Sequence, residues 1–180
     1  MSDPEEFCRA PDIVIRSDIM DNILIRKIKS DEVESAMALA LEVFLQFEAP
    51  DYPPEGVETF KKDIVENPAY LEKARQGLCP IYGAFDGEKL VALMGMRSNK
   101  THINLVFTRQ AYHRKGIAKA IFQYLLEDVL AENPTLEALT LNSSPYGLPF
   151  YLAIGFVPQS EEQQMHGIRY TPMKYVIQPL

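Results

Sequence analysis

"AYHRKGIAKAIFQYLLEDVL", residues 111–130, decides the fold. Its second half has helical spacing: Ile117, Ile121, Leu125 and Val129 share one stripe, and Asn133-Pro134 ends the run. Its first half sets His113, Arg114 and Lys115 at the mouth of that helix, in a chain of net charge −7. The first N–H groups of a helix lack partners inside it, and the peptide dipoles add partial positive charge there. Gly116 lets a ligand approach the backbone, and Ala118 keeps the next turn small. The stretch reads as a phosphate cradle. The same residues also fit a solvated basic surface with a glycine at a tight turn.

Charge around the stretch is lopsided. Between Glu88 and Glu127 there is no acidic residue, while the interval holds Lys89, Arg97, Lys100, Arg109, Arg114, Lys115 and Lys119. Such a face attracts a polyanion even in an acidic protein. The whole-chain charge still argues against a nucleic-acid partner, which needs many cations against phosphate. The phosphate-binding patterns G-x-x-x-x-G-K-[ST] and G-x-G-x-x-G are both absent.

The chain has 180 residues, 47% of them hydrophobic, so one domain with a substantial core is expected. No apolar run reaches 18 residues, so no membrane span is expected. Cys8 and Cys79 make neither a disulfide framework nor a paired metal site, which points to a reduced, cytoplasmic protein without a metal. The acidic start lacks the order of a signal peptide. Residues 1–19 read equally as an extension, native or appended, before a domain spanning 20–180, or as an added edge strand at Ile13 to Ile15.

Outward from the stretch, "HINLVFT" (His102 to Thr108) precedes it as a strand and "ALTLN" (Ala138 to Asn142) follows. Earlier strands run from Ile23 to Ile28, Pro80 to Phe85 and Leu90 to Arg97, the last two joined by an Asp86-Gly87 hairpin turn. Ser30 offers an N-cap for a helix over 31–47; prolines break the chain at 49–56; residues 57–76 read as helical, interrupted near Pro68. Ser144-Pro145 opens a short helix through Ile154, Gly155 closes it, and 168–177 is the last strand. The expected fold class is α/β (α+β mixed): a central mixed, mostly antiparallel sheet with helices on its faces and one strand–helix–strand crossover.

The order strand, "YHRKGIAKAIFQYLL", strand, "SSPYGLPFYLAIGF" resembles the GCN5-related N-acetyltransferases (the GNAT family) over roughly residues 22–177. Their signature, Q/R-x-x-G-x-G/A, is matched by His113-Arg114-Lys115-Gly116-Ile117-Ala118, with His113 as the departure. The resemblance implies acetyl-CoA as cofactor, its pyrophosphate held by residues 113–118. It implies that Val106, Phe107 and Thr108 pair with the pantetheine arm, on a strand splayed from its neighbour. Asn142 and Ser144 would bond the cofactor, Ser144 competing as an N-cap. Tyr151 would protonate the departing thiolate; a core aromatic is the other reading. His102, fourteen residues before Gly116, stands where the histone-acetylating branch has a catalytic glutamate, and would be the base; His113 and His166 are weaker candidates.

The resemblance places the acceptor among the first two helices, their loop and the approach to the last strand. Residues 31–66 hold ten acidic side chains against Lys61 and Lys62. Phe47, Glu48 and Tyr52 there suit a cationic amine beside aromatic faces; an acidic solvated face fits the same residues. The expected activity is direct acetyl transfer to a primary amine of a small molecule or peptide. Homodimers are common among relatives. The alternative is a non-catalytic acyl-CoA-binding or sensing module of the same fold.

Overall fold

Turn chemistry and apolar alternation build the sheet largely from hairpins. The computed structural model describes residues 13–17 and 20–178. Strands β1 (Ile13–Ser17), β2 (Met20–Lys27), β3 (Ile81–Asp86), β4 (Lys89–Met96) and β5 (His102–Thr108) follow one another antiparallel. The β3–β4 turn carries Gly87 at φ +59°, in the left-handed region. Beyond β5 the order continues with β6 (Ala138–Ser143), β9 (Ile168–Val176) and β7 (Val157–Pro158); β8 (Gln163–Met165) forms a hairpin with β9. β5 and β6 are the parallel pair, joined by helix α4 (Ile117–Glu132). The short strands β7 and β8 have no counterpart in the sequence reading. An edge strand does occupy Ile13–Ser17; Cys8 lies outside the described residues, and Cys79 is a buried free thiol.

On one face, α4 buries Ile117, Ile121, Leu125 and Val129 against the sheet. On the other, α1 (Val33–Phe47) and α3 (Pro68–Arg75) bury Val33, Met37, Phe44 and Tyr70. The cap of α1 corrects the expectation for Ser30. Ser30 opens a 3-10 turn (Ser30–Glu32) ahead of α1, which Glu32 closes: its carboxylate accepts the Lys29 N–H at 2.8 Å and takes two bonds from Arg26 at 2.7 and 2.8 Å. Hydrogen bonding from Arg26 outweighs the effect of burial and holds that carboxyl at about 2. After α2 (Pro54–Phe60) and a π-helical turn at Lys61–Val65, Asn67 Oδ1 accepts the N–H groups of Ala69 and Tyr70, starting α3 at Pro68.

The functional feature is a break in the sheet. β5 has one residue too many opposite Gly95 and Met96, a bulge at Asn104. Ile103 therefore packs in the α4-side core, while Leu105 and Phe107 pack in the α1-side core. A strict period of two would keep all three on one face. A bulge bends its strand and sharpens the twist. The parallel ladder stops there: only His102↔Thr140 and Ile103↔Leu141 are paired. β5 stays on β4 up to Thr108, and β6 stays on β9 up to Ser143, so the sheet opens into a wedge.

Candidate active site

Two cavities fill the wedge. The first, of about 520 Å³, runs along the start of α4 and the far end of β5. The second, of about 360 Å³, opens toward α2 and the β8–β9 hairpin. Both volumes are in the range of small-molecule sites. They share four residues: Glu48, Val106, Phe107 and Tyr151.

The first cavity takes in the helix mouth that the sequence reads as a phosphate cradle. Gly116 caps α4 at φ +78°, and a Cβ there would meet nothing within 4 Å, because the groove in front is open. The N–H groups of Gly116, Ile117, Ala118 and Lys119 have no protein acceptor among the described residues; the first bond back to the cap is Ala120 N–H to Gly116 O at 3.0 Å. Arg114 and Lys119 line the same wall. The basic run is narrower in space than in sequence, since Arg109 pairs with Glu42 and Lys100 with Glu132. Free amides, an open groove and flanking cations suit a diphosphate, so the group that the fold family uses fits these residues.

His113 is turned inward. Its Nε2–H donates to Thr108 O at 2.6 Å and its ring lies 4.9 Å from that of Phe47. It ties the cradle loop to the end of β5. Phe47 lines the first cavity and not the second, stacked at 5.1 Å on Tyr146. Tyr146, exposed and unflagged by the sequence reading, closes that side of the groove.

The second cavity gathers Tyr52, His102, His166 and Ser144, with Asp63, Arg97 and Asn104 that sequence reasoning missed. Asn142 and Ser144 border this cavity and not the first. Ser144 Oγ accepts the Gly147 N–H at 3.1 Å, ahead of a helix α5 (Leu148–Ala153) that begins later than expected. Tyr52 donates to Arg169 O at 3.1 Å and Thr59 to His166 O at 2.8 Å, fixing the hairpin over the cavity. A Cβ on Gly56 would run into the Gly167 carbonyl, so the two backbones touch there.

Three titratable groups stand out. Burial, then the Arg97 charge, push His102 down to about 4. Its Nδ1 lies 2.9 Å from Thr140 Oγ1. Tyr151 is buried, and desolvation followed by the Glu48 charge raises its phenol well above the ordinary range. Glu48 is half-buried as a residue, but its carboxyl end is enclosed. Burial lifts it to about 7; Asp51 adds to the rise, and a hydrogen bond from Ser144 opposes it.

Comparison with known proteins agrees with this geometry. The acetyltransferase (GNAT) domain family matches residues 48–177. A GCN5-related N-acetyltransferase structure from Rhodopseudomonas palustris superposes with a TM-score of 0.71 at 15% identity, over 90% of this chain and 100% of that one. The PaiA N-acetyltransferase of Thermoplasma acidophilum, in complex with coenzyme A, gives 0.66 at 18%, over 86% and 99%. The yncA structure from Salmonella typhimurium, with its cofactor acetyl-CoA, gives 0.59 at 14%, over 87% and 94%. With the family match over most of its length, the parted parallel strands and the open helix-mouth cradle, the chain belongs to the GNAT family of acetyltransferases.

Proposed function

We propose that this acetyltransferase moves the acetyl group of acetyl-CoA directly to a primary amine of a small molecule or peptide, in the cytoplasm. One observation carries the reading: the cradle cavity and the acceptor cavity meet at the parted end of β5, through Glu48, Val106, Phe107 and Tyr151. Two reactants entering from opposite sides would touch only there, and such positioning is itself a large part of catalysis.

Residues 114–118 hold the diphosphate through main-chain N–H groups and nearby charge, and His113 sets the loop. Val106, Phe107 and Thr108 line the arm's path where β5 has parted from β6. Acetyl-CoA supplies an activated thioester carbonyl when bound. The Tyr151 phenol keeps its proton across the working pH range and donates it toward the sulfur position. Tyr52 and Glu48 form the acceptor side.

Acetyl-CoA at about 100-fold its Kd is expected to stabilise the fold by about 2.7 kcal/mol. An amine panel followed by thiol release then tests transfer. Stabilisation without turnover on any amine would support the acyl-CoA-sensing alternative and reject catalysis; neither effect would reject the cofactor as well.

A further inference from the structure

We infer that the Glu48 carboxylate is the catalytic base that takes the proton lost by the acceptor amine, across the junction from Tyr151. This rests on the acetyl-transfer reading above. Among the described residues Glu48 is the one carboxylate bordering both cavities; Asp63 borders the second only. Its backbone is fixed at the end of α1, where its N–H donates to Phe44 O at 2.9 Å. No cation pairs with it among the described residues, unlike Glu32, Glu42 and Glu132.

The histidines are worse placed. His102 borders the acceptor cavity alone and is too weakly basic to hold a proton near neutrality. His113 spends Nε2 on Thr108 O. His166 is exposed on the β8–β9 turn. A carboxyl lifted to about 7 by enclosure is matched to an operating pH near neutrality.

The protons balance. As the nitrogen–carbon bond forms and the carbon–sulfur bond breaks, the amine proton passes to a Glu48 carboxylate oxygen. The phenolic proton of Tyr151 passes to sulfur. The Glu48 carboxyl then returns its proton to the Tyr151 oxygen, directly or through water, and both side chains regain their starting states. Groups that face Glu48 are Asp51 and Tyr52 from the turn after α1, with Ser144 and Tyr151 from the β6–α5 segment. Across the acceptor cavity stand Asp63, Arg97, His102, His166 and Arg169. Of these, Asp51 and Ser144 act on the Glu48 charge, in opposite directions.

The test compares wild type with Glu48→Gln, using an accepted amine, over pH 5 to 9. The wild-type kcat is expected to rise through a limb near pH 7; Glu48→Gln loses about 10²–10³-fold in kcat, with little change in KM for acetyl-CoA, and loses the limb. On the free protein, the melting temperature of Glu48→Gln relative to wild type should climb between pH 4.5 and 8. Glu48→Asp, carrying a carboxyl one methylene shorter, should keep a limb at reduced kcat and stands in if Glu48→Gln does not fold. A Glu48→Gln enzyme within tenfold of wild type and with the limb intact overturns the inference and leaves the transferase reading standing. Absence of turnover in wild type on every amine overturns both.

Discussion

Two enclosed carboxylates, on opposite faces of the sheet, divide the molecule into a closed half and a working half. Asp128, on α4, is 1% exposed and receives the Tyr82 hydroxyl at 2.8 Å and Lys27 Nζ at 2.7 Å. Glu48 has a hydroxyl from Ser144, an acidic neighbour in Asp51 and no cation. Asp128 sits beneath β2, β3 and β4, which stay paired side by side. Glu48 sits where β5 leaves β6. A carboxylate that holds a cation and a phenol helps to define the fold; one enclosed without a counter-charge can gain and lose a proton.

The largest expected effect breaks the closed half. Asp128→Ala leaves Lys27 and the Tyr82 hydroxyl unpaired and is expected to cost about 3 kcal/mol, near the low end for a broken buried pair because Lys27 is a third exposed. Urea denaturation should report it, while kcat per folded molecule stays within about twofold. Next, Tyr151→Phe removes the proton donor and should lower kcat by about 30–100-fold with the melting temperature nearly unchanged. Equal kcat at all pH values would remove Tyr151 from the proton path.

A third effect separates the halves by pH. The Glu48 value of about 7 exceeds the ordinary 4.5, so the native state binds more protons between those values. Stability from this group is fully present below pH 4.5 and is lost as pH rises through 7. Glu48→Gln lacks that loss and should be more stable than wild type by about 1–2 kcal/mol at pH 8, with the gain gone at pH 4; the full shift would be about 3 kcal/mol at ~1.36 per unit, before water penetration reduces it. Thermal melts at both pH values check this. The smallest effect is Ser144→Ala. Removing the bond that favours the charged form should move the kcat limb upward by about half a unit, measured on the same pH profile.

Much of the fold was legible because hairpins and an amphipathic crossover helix are local patterns. Asp86-Gly87 and the Ile117–Val129 stripe needed no tertiary knowledge. The glycine at the mouth of that helix was legible for the same reason; whether it faces a ligand groove or bulk solvent was not, since both readings fit the residues. The wedge was not legible from the residues alone. Nothing in "HINLVFT" marks a break, and the bulge at Asn104 follows from its pairing with Gly95 and Met96, a long-range fact. Which cavity Phe47 and Asn142 border was equally hidden, because the side of a parted sheet that a residue faces depends on that bulge. Glu48 was found as a member of an acidic stretch, but spacing says nothing of depth, so its enclosure and its pairing with Tyr151 came only from the packed structure.

The most direct measurement is a carbon-13 titration of glutamate side chains in the free protein, with Glu48→Gln to identify the resonance. The expected result is a Glu48 carboxyl midpoint at about 7. A midpoint at the ordinary value near 4.5 would mean an ionised, solvated carboxylate at neutral pH, and would contradict a proton-accepting group at the junction of the two cavities.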